Sequence, residues 1–154
     1  MKTYRRIVFV AETGTCRAPM AAALLKEHTL KHPVEVLARG LVVLFQEPLN
    51  QKAEAVMISN GVSADGYEST QLSEEDIDDD TLVLTMERAQ CQKVLDICSN
   101  AKEENVCVLT ELVGDELEIM NPYGGTLQSY GLCFETLRQT IKKLVKLLNE
   151  NEGE

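Results

Sequence analysis

The sequence feature that most limits the possible folds of this chain is a run of four consecutive β-branched and aromatic residues, Ile7-Val8-Phe9-Val10. A strand with one face in water alternates apolar and polar side chains, whereas an unbroken apolar run is typical of a strand covered on both faces. Such strands belong mostly to parallel sheets that helices flank. The run therefore predicts a buried parallel strand, and the rest of the chain must supply helices for both of its faces.

The remaining hydrophobic pattern supplies those elements. Further strands are predicted at 34–37, 81–85 and 106–109, and helices at 18–30, 50–60, 87–98 and 127–149. In the last helix, apolar residues recur at helical spacing: Leu137, Ile141, Leu144 and Leu148. Strands that alternate with helices predict a three-layer α/β/α fold with a central four-stranded parallel sheet. We expect a single domain over residues 1–150, followed by a polar tail at 151–154.

Charge and cysteine content exclude several classes of protein. A formal net charge of -10 argues against a nucleic-acid surface, because phosphate backbones require a basic stripe. The apolar run before the first loop, residues 7–11, is too short for a signal peptide or a membrane span. The 5 cysteines form no secreted disulfide framework, so reduced thiols and a cytoplasmic location are expected. Cys91 and Cys98 would share one helical face, either as buried apolar groups or as a redox pair.

The turn after the first strand, Ala11-Glu12-Thr13-Gly14-Thr15-Cys16-Arg17, is predicted to bind an anion. Gly14 permits a positive φ, which lets successive amide groups converge on one point as an anion nest. The amino terminus of the following helix adds partial positive charge there, and Pro19 suits its first turn. Arg17 could then hold two oxygens of phosphate or sulfate through its planar guanidinium. No metal site is expected, since the acidic stretch 73–80 lacks the ligand spacing of a calcium loop.

The same residues resemble a known family. Phe9-Val10-Ala11, a five-residue gap and Arg17-Ala18-Pro19-Met20-Ala21 resemble the opening of the low-molecular-weight protein tyrosine phosphatases. Asn121-Pro122-Tyr123-Gly124-Gly125 resembles that family's aspartate-proline-tyrosine segment. Leu84-Thr85-Met86 and Gln71-Leu72 match two further segments in the same order. The chain is therefore identified as a divergent member of this family.

The resemblance implies catalytic positions that carry other residues here. In the family, a loop cysteine attacks phosphorus and forms a phosphocysteine intermediate, and its position is Ala11 in this chain. The aspartate that protonates the leaving oxygen corresponds to Asn121, an amide that cannot supply a proton at pH 7. Tyr123 matches an aromatic residue at the rim of the substrate site. The family uses no cofactor, so none is expected.

Residues that support the nucleophile in the family also differ. A loop asparagine is replaced by Gly14, and the serine after the arginine by Ala18. On a looser alignment, a serine after the second strand becomes Ala38 and a histidine becomes Tyr67. A laboratory substrate-trapping variant of an active tyrosine phosphatase would keep this network. Natural divergence therefore explains the pattern better.

The leading hypothesis is a catalytically silent member, a pseudophosphatase. It would bind phosphate, sulfate or a phosphotyrosine peptide through Glu12, Thr13, Gly14, Thr15, Cys16 and Arg17. Besides the trapping variant, three alternatives stay open. Cys16 could serve as a new nucleophile beside Arg17, the chain could be an arsenate reductase that uses Cys91 and Cys98, or it could bind partners through a vestigial loop.

Overall fold

A computed structural model describes residues 1–150. Its strands and helices, in chain order, are β1 (Arg6–Ala11), α1 (Arg17–Lys26), β2 (Glu35–Gly40), α2 (Gln51–Ser59), β3 (Thr81–Thr85), α3 (Arg88–Ile97), β4 (Val106–Val108), α4 (Leu109–Leu112) and α5 (Leu127–Glu150). The four strands form one parallel sheet in the order β2-β1-β3-β4. The predicted four-stranded parallel sheet between helices is confirmed. The expected tail, residues 151–154, lies outside the described residues.

Strand β1 lies in the interior of the sheet, between β2 and β3. Its residues Ile7–Val10 are fully buried, as the apolar run predicted. The register pairs Ala11 with Gly40 at the carboxyl end of β2. Because parallel strands end at the same edge, the loop after β1 lies beside the segments that follow β2 and β3.

The two faces of the sheet carry two cores. On one face, Phe9 and Leu84 belong to a cluster with residues of α1, α2 and α5. On the other face, Val8 and Val83 pack with Val94 of α3. The predicted stripe on α5 is confirmed, since Leu137, Ile141 and Leu144 are fully buried and Leu148 packs against the first cluster.

Several element boundaries differ from the sequence predictions. Helix α1 ends at Lys26 rather than at residue 30, because Glu27 and His28 donate to carbonyls three residues earlier and tighten the last turn. Strand β4 stops at Val108, and the short helix α4, which was not predicted, begins at Leu109. Four residues are too few to show a helical period.

The cysteines are free thiols. Cys98 follows α3 and is fully buried in the second cluster, against which Cys91 also packs. The two residues thus share one face, as buried apolar groups would. Across residues 1–150, no helix is both long enough and apolar enough to span a bilayer.

Candidate functional site

The loop 12–16 joins β1 to α1 at the carboxyl edge of the sheet. Gly14 takes a φ of 73°, the left-handed conformation that its position in a nest required. A Cβ at Gly14 would stand 3.0 Å from the backbone nitrogen of Gly40. The close approach of loop and strand therefore also requires glycine at this position.

Carbonyl groups fasten the loop to its surroundings. Four of its residues accept hydrogen bonds through their backbone oxygens: Glu12 from the amides of Leu41 and Val42, Gly14 from the Tyr67 hydroxyl, Thr15 from the Asn50 amide, and Cys16 from the Met20 amide. Among the backbone hydrogen bonds outside the helices and strands of residues 1–150, none has an amide of residues 12–16 as its donor. The N–H groups therefore remain for a ligand, as an anion nest requires.

Tyr67 contributes a contact that the sequence did not reveal. Its hydroxyl donates to the Gly14 carbonyl at 2.5 Å. Burial raises the pKa of Tyr67 to about 12, although the charge of Arg39 acts in the opposite direction. The hydroxyl therefore stays protonated and keeps donating at neutral pH. A residue expected to mark a lost network instead supports the loop.

Arg17 is the first residue of α1 and is only 3% exposed. Its Nη1 donates to the Ile119 carbonyl at 2.8 Å and lies 2.6 Å from Glu87 Oε2. Both contacts use the same nitrogen, which fixes the plane of the guanidinium and leaves Nε and Nη2 out of these contacts. The side chain of Arg17 is thus held in place beside the loop by residues that follow β3 and precede α5.

Glu87 was missed at the sequence level. It follows Leu84-Thr85-Met86 at the carboxyl end of β3, next to β1 in the sheet. Residues that follow adjacent parallel strands meet at one edge. That rule could have identified Glu87 as a neighbour of Arg17, although no sequence motif marks it.

A cavity of about 570 Å³ brings the sequence-predicted residues together. Its lining comprises Ala11, Glu12, Thr13, Gly14, Thr15, Cys16, Arg17, Val42, Val43, Leu44, Phe45, Glu47, Ser69, Asn121 and Tyr123. Ala11 is buried at the end of β1. The Asn121 side chain accepts a hydrogen bond from the Tyr123 amide at 3.1 Å, and the Tyr123 ring is 80% exposed. Two segments far apart in sequence thus meet at one opening.

Glu12 is the one acidic residue of the loop, and a carboxylate repels an anion if it points towards it. Its carboxylate lies 3.4 Å from the ammonium group of Lys93 on α3. Both side chains are about half exposed, so the attraction is weak, yet it places a positive charge beside this carboxylate. Repulsion of a bound anion by Glu12 is reduced accordingly.

Cys16 lies against Cys133 of α5. A hydrogen bond that the Cys16 thiol donates to the Cys133 sulfur, together with burial, raises the pKa of Cys16, whereas Arg17 lowers it only as the smallest contribution. The expected activation of Cys16 by Arg17 is therefore outweighed. A neutral, largely buried thiol is a poor nucleophile, and the structure disfavours Cys16 as a replacement for the family's cysteine.

Residues 1–150 contain no group of three or more histidine, cysteine, aspartate or glutamate side chains placed to hold a metal. The acidic stretch 73–80 instead makes structural contacts. Asp76 accepts from the Ser73 amide and pairs with Arg39, each at 3.0 Å.

Known proteins are similar to this chain over almost its whole length. The family model described as low molecular weight phosphotyrosine protein phosphatase matches residues 6–153. A protein-arginine-phosphatase of Geobacillus stearothermophilus is 31% identical over 96% of this chain and 98% of its own length. The low molecular weight protein-tyrosine-phosphatase PtpB of Staphylococcus aureus is 29% identical over 93% of this chain and 99% of its own length.

Solved structures agree with that assignment. The structure of an arginine phosphatase from Geobacillus stearothermophilus superposes with a TM-score of 0.87 at 31% identity, covering 95% of this chain and 94% of the other. The low molecular weight protein tyrosine phosphatase from T. tengcongensis gives a TM-score of 0.85 at 27% identity, over 93% of this chain and 99% of the other.

Proposed function

Because this chain belongs to the low molecular weight phosphotyrosine protein phosphatase family, we propose that it binds the phosphoryl group of a phosphorylated protein without hydrolysing it. The phosphoryl oxygens accept from the amides of residues 12–17 and from Arg17. The partial positive charge at the amino terminus of α1 acts on the same point. The protein is then a pseudophosphatase that recognises phosphate groups.

One observation carries this proposal. The loop uses its carbonyls to fasten itself to neighbouring segments, so its amides are free to face the same cavity as Arg17. Glu87 and Ile119 hold the guanidinium through Nη1. A site whose donors are fixed before the ligand arrives loses little entropy on binding.

Two residues of the same cavity support the proposal that this protein does not hydrolyse the bound phosphoryl group. The Ala11 methyl group, at the family's cysteine position, can neither attack phosphorus nor carry a phosphoryl group. The Asn121 amide, at the aspartate position, cannot protonate a leaving group at neutral pH. A bound phosphoryl group would therefore stay attached to its protein.

Two kinds of phosphorylated residue fit the family. Phosphotyrosine is the substrate class in the family's description, and an arginine phosphatase is among the similar proteins. Both present a terminal phosphoryl group on a planar group of similar reach. We also propose a cytoplasmic location for this protein, which its free thiols support because disulfides are rare in the cytoplasm.

Calorimetric titration with inorganic phosphate, sulfate, a phosphotyrosine peptide and a phosphoarginine peptide tests the site. We expect one binding site and at least about tenfold weaker binding by Arg17→Lys, because lysine lacks the planar fork that donates two parallel bonds. Arg138→Lys is the matched control, since Arg138 lies on α5 outside the cavity lining and bonds to Asn60. Equal binding by Arg17→Lys and the parent chain would refute the site.

A further inference from the structure

An apolar rim, made of Val42, Leu44, Phe45 and Tyr123, surrounds the mouth of the anion cavity. All four side chains line that cavity and all are exposed, Leu44 by 83% and Phe45 by 78%. On the proposed function, a phosphate ion binds the loop amides and Arg17 and needs none of these apolar side chains. The rim therefore exceeds what a small inorganic ion requires, and contiguous exposed apolar groups mark interaction surfaces.

The segment 41–47 that carries most of the rim is fastened near both ends. The Gln71 side chain accepts from the Val43 amide at 2.9 Å and donates to the Leu41 carbonyl at 2.8 Å. Glu47 and Ser69 exchange two further bonds, at 2.9 and 2.8 Å. Leu44 and Phe45 are thus presented to solvent by a fixed backbone, so covering them requires little ordering of the loop.

The charges around the cavity are asymmetric. Of the charged side chains that line it, Arg17 pairs with Glu87 and Glu12 pairs with Lys93. Glu47 takes part in none of the ion pairs found within residues 1–150. The uncompensated charge at the rim is therefore negative, in a chain of net charge -10.

We propose that this rim docks a phosphorylated segment of another protein in which apolar side chains flank the phosphorylated residue and a basic side chain lies near Glu47. The proposal rests on the proposed function, since the phosphoryl group enters the 12–17 loop. The apolar neighbours cover Leu44 and Phe45, and the basic group neutralises Glu47. Segments rich in aspartate or glutamate are repelled, although they carry the same phosphoryl group.

Three phosphotyrosine peptides of equal length test the proposal. The first peptide has leucine and phenylalanine beside the phosphotyrosine and a lysine further along the chain. The second peptide replaces the leucine and phenylalanine of the first with serine and glycine. The third replaces the lysine of the first with glutamate. We expect the first to bind about tenfold more tightly than the second, as burial of one or two apolar side chains provides. We expect it to bind about two- to fivefold more tightly than the third, as an exposed ion pair provides.

Variants assign these preferences to the rim. The double variant Leu44→Ser/Phe45→Ser should lose most of the preference for the apolar peptide, and Glu47→Lys should reverse the preference between lysine and glutamate. Leu132→Ser is the matched control, because Leu132 is also an exposed leucine but lies on α5 outside the cavity lining. It should keep both preferences.

Inorganic phosphate separates this inference from the proposed function. If phosphate binds in an Arg17-dependent manner while the three peptides bind equally, the inference is wrong and the proposed function stands. If neither phosphate nor any peptide binds, both fail. Sedimentation of the parent chain as a dimer, and of Leu44→Ser/Phe45→Ser as a monomer, would also overturn the inference, because a second copy of the chain would then cover the rim.

Discussion

At the scale of single residues, the Tyr67 hydroxyl fixes the conformation of the anion loop. It donates to the carbonyl of Gly14, the one residue of 12–16 with a left-handed backbone, and thereby fixes that carbonyl. Arg17 shows the same principle for a side chain, because Glu87 and Ile119 orient it. The Gly14 carbonyl and the Arg17 guanidinium are thus both held by residues distant in sequence.

Tyr67→Phe removes the hydroxyl and keeps the ring. We expect a loss of about 1 kcal/mol in the free energy of unfolding, the usual value of one intramolecular hydrogen bond, and weaker phosphate binding. Urea denaturation and calorimetry measure the two effects. Tyr123→Phe is the control for stability, since its exposed hydroxyl should contribute less than about 0.5 kcal/mol. Equal stability of Tyr67→Phe and the parent chain would contradict the role of this hydrogen bond.

The raised pKa of Tyr67 predicts a pH dependence. Folding raises it from 10.0 to about 12, so the neutral hydroxyl is favoured in the folded state. Its contribution to stability is complete below pH 10 and is lost as the pH rises from 10 towards 12. Denaturation of the parent chain and Tyr67→Phe across that range should show the difference between them shrinking. A constant difference would mean that Tyr67 does not titrate in this way.

Sequence alone located the loop residues and Arg17, because their spacing is local and continuous. It could not locate Glu87 or the bond from Tyr67, since both contacts depend on how distant segments meet at the sheet edge. It also suggested a thiolate at Cys16 from its neighbour Arg17, and missed the larger effect of Cys133 on α5. Local spacing thus predicted a candidate anion loop but not the side chains that hold it.

At the scale of elements, the anion loop is shaped by its contact with the end of β2. Gly14 and Gly40 approach closely: a Cβ at Gly40 would collide with the backbone of Thr13 at 2.7 Å, and a Cβ at Gly14 would make a tight contact of 3.0 Å with the Gly40 nitrogen. The pairing of Ala11 with Gly40 in the sheet places the two segments side by side. The loop conformation is therefore a consequence of sheet register as well as of local sequence.

Gly14→Ala tests this contact, and Gly61→Ala is its matched control. Both glycines have nearly the same φ, 73° and 72°, but a Cβ at Gly61 meets no atom within 4 Å. Gly61→Ala should therefore cost only the left-handed strain, about 1–2 kcal/mol. Gly14→Ala should cost about 2–4 kcal/mol in unfolding experiments and weaken phosphate binding as the loop shifts. Equal costs would show that the loop does not pack on β2 as described.

The strands and long helices were predictable because their apolar patterns are long or unbroken, as in Ile7–Val10 and α5. The end of α1, the short β4 and the helix α4 were not, because hydrogen bonds of single turns decide them. The apolar rim was missed for a related reason. Isolated apolar residues such as Leu44 and Phe45 show no period, and only the structure reveals that they share a cavity with the loop.

At the scale of the whole molecule, the family fold is retained, with a cavity at the loop that follows β1. On the proposed function, the difference between binding and turnover depends first on Ala11 and Asn121, although Gly14, Ala18, Ala38 and Tyr67 also differ from the residues that the family resemblance implies. Asn121 belongs to neither core, and Ala11 contributes only a methyl group to the first cluster, at the end of β1. Restoring the family's residues should therefore restore chemistry without rebuilding the fold.

The variant Ala11→Cys/Asn121→Asp should hydrolyse p-nitrophenyl phosphate. Ala11→Cys alone should turn over slowly, and the added aspartate should raise the rate by about 10²–10⁴, the usual contribution of a general acid. Asn121→Asp alone should remain inactive, because no nucleophile is present. Release of nitrophenolate measures each rate. A double variant that folds and binds phosphate yet shows no turnover would mean that these two positions are not the ones that matter.

The central claim is binding without turnover, and phosphorus NMR of the parent chain with a phosphotyrosine or phosphoarginine peptide tests both halves in one sample. We expect the phosphoryl resonance to shift or broaden when protein is added, and no inorganic phosphate signal to appear over many hours. Accumulation of inorganic phosphate, or a resonance that does not change at millimolar protein, would contradict it.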